Sequence, residues 1–243
     1  MSVQNPRTFL DLCQRAAIEC GVAGTMTTTA NQIGSLGRIV NWVSDAWTDV
    51  QMGHDDWEWM RSSNLLGAGI SFATVLGQMS YPLGAGAGTV GVAVDTFGKW
   101  DRPTFRVQTT SAGVGSQSYL ADIPFDAWRN GYMFGAQQTA LSRPVVSAIG
   151  PDQSINVGPP PIAGLTITGD YWVAPSEMVN DTDVPVGLPT RFTMLICYAA
   201  MIKYSGYEAA TEVFDRGTRE YKGMYAQLQA VRAPRISWGG ALA

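Results

Sequence analysis

Histidine is nearly missing from this chain: His54 stands alone among 243 residues. No second imidazole exists to build a catalytic triad elsewhere in the chain or to complete a zinc site that uses two or three histidines. Cysteine is scarce as well. Cys13, Cys20 and Cys197 cannot all pair, and no CxxC stands beside them, which excludes a disulfide-stapled scaffold and a zinc ribbon and fits a reduced, cytoplasmic assembly environment. Charged residues make up only 15% of the chain and sum to a net charge of -4, with a pI near 4.9. Gripping nucleic acid along a surface needs clustered Lys and Arg, so that class is set aside, whereas conducting DNA without gripping it is compatible with an acidic chain. No apolar run approaches the ~20 residues of a bilayer span. The N-terminus MSVQNPRTFLD lacks the basic and then apolar order of a signal peptide, so neither membrane insertion nor export is expected.

Sequence motifs of catalysis are missing too: there is no GxSxG, HExxH or GxxxxGK[ST]. GAGTVG does match GxGxxG through Gly86, Gly88 and Gly91. The residues that follow, TVGVAVDTF, alternate as a strand does, so a bound phosphate would meet no helix dipole. A glycine-rich turn is the expectation there, and no nucleotide or other cofactor is called for.

What is present is apolar surface. At 46% hydrophobic and 10% aromatic residues the chain can bury a sizeable core in one large or two small domains. Asn5 and Pro6 read as an N-cap and first helical position, with Phe9, Leu12, Cys13, Ala16, Ala17 and Cys20 as an apolar stripe that Gly21 stops. From Ile33 a second helix is expected, its apolar residues Leu36, Val40, Val43, Trp47 and Val50 stepping by three and four into a narrow seam. The same steps reach His54 and Trp57 in GHDDWEWMR, which places the histidine at a seam position and makes Trp57 and Trp59 anchors. Asp55, Asp56 and Glu58 scatter round the helix axis and suit a solvated collar or an intersubunit contact better than a metal site.

Between residues 63 and 186 glycine and proline become frequent and short alternating runs appear: GISFATV, TVGVAVDTF, TFRVQTT, RPVVSAIG, SINVGP and LTITGDYWV. They predict an antiparallel β-sandwich or barrel, with a short helix at PFDAWRNGYMFG after Pro124 that Gly131 or Gly135 closes. Helical pattern returns after Pro189 with Phe192, Leu195, Ile196, Ala199 and Ile202 on one face. Ser205 and Gly206 permit a break, and Ala210, Val213, Gly217, Tyr221, Met224, Leu228 and Val231 line the next helix. Gly217 and Gly223 suit a close backbone approach or simple tolerance. Pro234 ends that helix. The expected fold class is therefore α+β: a helical bundle from residues 1–62 and 187–231, a β-rich insertion at 63–186, and a C-terminal arm at 232–243.

The arm, RISWGGALA, carries Arg235, Ile236, Trp238 and Leu242, residue types that serve either as contacts to a neighbouring protein or as packing on the chain's own domain. Paired carboxylates, Asp181 with Asp183 or Asp55 with Asp56, leave a carboxylate-dependent polysaccharide hydrolase thinkable, with Trp57, Trp59, Trp100, Trp128 and Trp172 stacking on sugars. VNDTDVPVG also reads simply as a turn-rich connection.

The order AWTDVQMGHDDWEWMR, RPVVSAIGPDQSINVGPPP and GLTITGDYWVAPSEMVNDTDVPVGLPTRFTMLICYAAMIKYSGYEAA resembles the head-to-tail adaptor, or connector, proteins of tailed bacteriophages. The most distinctive part is DYWVAPSEM followed by DTDVPVGLP and a helix. The resemblance implies a non-enzymatic virion component at the head-tail junction, assembled in the host cytoplasm. It also implies a homo-oligomeric, typically dodecameric ring docked beneath the portal, with tail or neck proteins as further partners and DNA passing through the lumen. On that reading Arg235, Ile236, Trp238 and Leu242 contact the portal, while Leu36, Val40, Val43, Trp47, Val50, Tyr221, Met224 and Leu228 pack subunits together. Another neck or tail-completion protein is the nearest alternative.

Overall fold

The computed structural model describes residues 7–54 and 56–232. The chain is an α+β protein with two compact units, Met1–Met60 together with Pro175–Ala243, and Arg61–Ala174. Its helices are α1 (Phe9–Glu19), α2 (Gly34–Met52), the single turn α3 (Ser62–Leu65), α4 (Phe125–Tyr132), α5 (Met194–Glu208) and α6 (Thr211–Arg232). Its strands are β1 (Ile70–Ala73), β2 (Ser80–Tyr81), β3 (Phe97–Thr109), β4 (Ser118–Tyr119), β5 (Ala121–Asp122), β6 (Val146–Ile149), β7 (Ile155–Gly158) and β8 (Leu165–Val173).

In the helical unit α5 packs against α1, α2 and α6, so its apolar surface is buried widely: Leu195, Ile196, Cys197, Ala200 and Met201 are all fully covered. Helix α1 presents Phe9, Leu12, Cys13, Ala16 and Ala17 to this core. Asn5 and Pro6 lie outside the described residues, and the cap observed is Thr8. Its hydroxyl accepts from the Asp11 amide at 3.2 Å, and its own amide donates to the Asp11 carboxylate at 3.0 Å. The expected seam of α2 is present through Val43, Trp47 and Val50, with Ile39 and Ala46 widening it. Two details of that helix differ from expectation. Ile33 is an exposed N-cap, and the helix stops at Met52 instead of running to Trp57. The Tyr225 hydroxyl donates to the Gly53 carbonyl at 3.0 Å, taking an acceptor that a further helical turn would need.

The break expected at Ser205 and Gly206 is also displaced. Helix α5 continues through both, and the turn into α6 falls at Ala209, in the left-handed region at φ 53°. There the Ala210 amide donates to the Ser205 carbonyl at 3.2 Å.

The other unit is built from two four-stranded sheets, ordered β1-β8-β3-β4 and β2-β7-β6-β5. All pairings are antiparallel except β5 with β6, which run parallel. Alternation along β8 buries Leu165, Ile167 and Tyr171, and these meet Tyr81, Ile155 and Val157 from the second sheet in one core with Phe72, Trp100, Phe105 and Val107. TVGVAVDTF is not the strand its alternation predicts. Val90 and Val92 do turn into the core, but Gly88 and Gly91 hold φ of 76° and 78°, and only an isolated bridge between Gly84 and Val92 forms. At PFDAWRNGYMFG the helix is present with Pro124 as its N-cap, yet Gly131 lies within it, and Gly135 opens a following 3-10 turn.

Candidate interaction surface

The residues of GHDDWEWMR form an aromatic cluster past the end of α2. Trp57 is fully buried, and its indole Nε1 donates to the Val50 carbonyl at 3.0 Å. Trp59 stacks on both Trp47 and Trp57, with ring centres 5.6 and 6.0 Å apart, and Tyr225 meets Trp57 edge-on. His54 lies against Trp57 at 5.3 Å, and its Nδ1 accepts from the Asp56 amide at 3.3 Å. The histidine thus serves in packing and a local turn. Asp55 lies outside the described residues, and no group of three His, Cys, Asp or Glu suited to a metal occurs among the described ones.

Asp181 and Asp183 sit where the helical unit ties its own loops together. The Asp181 carboxylate accepts from the Thr29 amide at 2.6 Å and the Thr29 hydroxyl at 2.5 Å. Asp183 accepts from the amides of Val179 and Asn180, both at 2.8 Å. Their backbone carbonyls meanwhile take the Leu10 and Phe9 amides at the start of α1. The hydrogen bonds from Thr29 hold the Asp181 carboxyl below its ordinary range, and those from Asn180 and Val179 do the same to Asp183. A glycosidase needs one carboxyl raised towards neutrality as a general acid, and neither of these is so placed. Nor do the five tryptophans form a sugar platform: Trp57, Trp59, Trp100 and Trp128 are buried side chains of the two cores. Trp172 is half-buried, with the Lys99 ammonium over its ring at 4.9 Å.

The seam residues divide by burial. Val43, Trp47, Val50 and Leu228 are covered by the chain's own packing, whereas Leu36, Val40, Tyr221 and Met224 keep part of their surface open. Arg235, Ile236, Trp238 and Leu242 lie outside the described residues.

Against this background of structural side chains, the family comparison is decisive. The model of the SU10 adaptor protein family matches residues 7–243. The chain belongs to the SU10 adaptor protein family. Comparison with curated proteins gives no match. As an SU10 adaptor the chain is a structural protein of bacteriophage, whose work is contact with other virion proteins.

One contact that holds the adaptor together, from Arg216 to Glu19, carried no signal in the sequence. Glu19, only 7% exposed at its side chain, accepts from Arg15 at 2.5 Å one turn earlier on α1 and from Arg216 on α6, which clamps the two helices. The three thiols are free and buried in the adaptor's helical core. Burial pushes Cys20 and Cys197 up to about 12, and Cys13 higher still, so they are neutral packing groups with no thiolate character at physiological pH. No helix among the described residues is long and apolar enough to cross a membrane.

Proposed function

We propose that the adaptor assembles as a ring, dodecameric by its family resemblance, which joins the portal to the tail or neck at the head-tail junction and lets DNA pass through its lumen. The observation that carries this reading is the family match over residues 7–243. Two features support it. Leu36, Val40, Tyr221 and Met224 are only part-buried and leave apolar surface on the helical unit that the other described residues do not cover, and a neighbouring subunit would cover it. A net charge of -4 suits a lumen through which phosphates must slide without sticking. The portal contact falls to the arm residues Arg235, Ile236, Trp238 and Leu242, an assignment made by their position in the chain.

Sedimentation of the purified adaptor with and without its portal tests this. A ring-sized species that contains both proteins is expected, and a chain truncated after Arg232 should keep its fold and lose attachment. An adaptor that stays monomeric and unbound at high concentration of both proteins would overturn the reading. Attachment unchanged by the truncation would remove the arm from it.

A further inference from the structure

A groove of about 410 Å³ in the β-rich unit has the chemistry of a docking site for a neighbouring protein. Phe125, Trp128, Met133 and Pro151 make its apolar side, and Ser80, Asp152, Ser154 and Asn156 its polar side. The floor is preformed: Trp128 is buried, its indole donates to the Val157 carbonyl at 2.9 Å, and Phe125 stacks on it with ring centres 5.6 Å apart. Asp152 stands at the tip of the β6–β7 hairpin, where its Oδ1 accepts from the Ser154 hydroxyl at 2.6 Å and the Ser154 amide at 3.1 Å. These bonds lower its carboxyl below the usual range. Among the described residues no cation pairs with it. Gly150 makes room for the arrangement, since a Cβ there would lie 2.6 Å from both Asp152 Oδ1 and Ser154 Oγ.

An exposed carboxylate held in place by two hydrogen bonds on the rim of an apolar groove, with no cation of its own among the described residues, is complementary in charge to a cation. The volume exceeds one side chain, so the apolar side is left for a second. We propose that this groove docks an extended segment of another virion protein that presents an arginine or lysine to Asp152 and an adjacent aromatic or aliphatic side chain to Phe125, Met133 and Pro151. The proposal rests on the adaptor reading for the partner's being a virion protein, and on the groove alone for the chemistry it selects.

The test uses the full chain with 13C-labelled methionine methyls, read at Met133, whose signal is assigned by Met133→Leu. The probe is the dipeptide N-acetyl-Arg-Trp-amide, with N-acetyl-Glu-Trp-amide as its counterpart. Saturable movement of the Met133 signal by the arginine probe only is expected, and Asp152→Asn should weaken it about fivefold, the upper end of what removal of an exposed ion pair does. Asparagine keeps the Oδ1 acceptor for Ser154, so unchanged signals from the other methionines would show an intact fold. No response at Met133 up to millimolar probe, or equal binding by Asp152→Asn, would overturn the proposal. A Met133 signal that moves on truncation after Arg232, with no probe present, would assign the groove to the protein's own terminal residues and overturn the separate partner. Ring formation is read separately by sedimentation, so either proposal can fail alone.

Discussion

Gln51, buried in the last turn of α2, holds Ser176 by both sides of its peptide: Nε2 donates to the Ser176 carbonyl at 2.8 Å, and Oε1 accepts from the Ser176 amide at 3.0 Å. A side-chain amide here does what a neighbouring strand would do. Ser44, on the same helix, repeats the device with a bond from its hydroxyl to the Met178 carbonyl at 3.0 Å. Together they fix a stretch that belongs to no strand and has no ladder partner of its own.

Replacing Gln51 with Met roughly keeps the volume and removes both bonds to Ser176, together with the longer one from Nε2 to the Trp47 carbonyl at 3.3 Å. Ser176 is exposed, so water recovers part of the loss, and a decrease of about 1–2 kcal/mol is expected. Urea unfolding should show a lower midpoint with an unchanged slope. A change under about 0.5 kcal/mol would mean that the clasp is incidental to stability.

Asp181 and Asp183 set an acid limit. Both have folded-state pKa values below the ordinary carboxylate value, so their contribution to stability is fully present above about pH 4 and is lost as pH falls through the folded values. Thr29→Ala removes the hydroxyl donor to Asp181 and leaves the amide. The carboxyl titration followed by NMR should then shift upward at Asp181 and stay put at Asp183.

The thiols make the opposite case. Their folded-state values are raised, so their contribution is intact below the ordinary thiol value of about 8.5 and is lost as pH rises through the folded values near 12. At neutral pH Cys13, Cys20 and Cys197 should resist alkylation in the native chain and react together once urea unfolds it. Rapid labelling of one thiol in the native chain would show that the helical core opens locally at that position.

Much of the fold was legible because burial follows period. The α1 stripe Phe9, Leu12, Cys13, Ala16 and Ala17 and the β8 alternation Leu165, Ile167 and Tyr171 are both written in residue spacing, and both are buried as the spacing predicts. Legibility fails where a partner decides the outcome. TVGVAVDTF has the alternation of a strand, and its valines at 90 and 92 are buried, but a ladder also needs a neighbour in register. β2, β4 and β5 are two residues each, too short for any period to register. The end of α2 depends on a hydroxyl from Tyr225, far away in the sequence. The candidate surfaces were harder to see. Seam spacing named Val43, Trp47, Val50 and Leu228 along with Leu36, Val40, Tyr221 and Met224, because a repeat shows which residues share a face and not how much of that face the rest of the fold covers. The groove at Asp152 had no sequence signal, since it joins α4 to a hairpin tip through space.

The two α6 glycines, Gly217 and Gly223, separate the alternatives that spacing left open. At Gly217 a Cβ would lie 3.3 Å from Met201 Cβ, Ile202 Cγ1 and the Tyr198 carbonyl, so α5 approaches closely there; at Gly223 nothing stands within 4 Å. Alanine gains about 1 kcal/mol over glycine in a helix interior. Gly223→Ala should therefore raise the stability of the isolated chain by about that amount, while Gly217→Ala should change it little, its propensity gain offset by the tightened contact with α5. Gly217→Val, which adds two more carbons against the same wall, should destabilise by about 1–3 kcal/mol. Thermal unfolding of the three variants measures this order directly, and a Gly217→Ala chain as much stabilised as Gly223→Ala would show that the helices can ease apart at no cost. Gly223 also tests the proposed ring, because a methyl group there meets no other described residue of the subunit. A Gly223→Ala chain that is more stable alone yet fails to sediment as a ring would place this face of α6 at the subunit contact, and one that assembles unchanged would move the contact elsewhere on the helical unit.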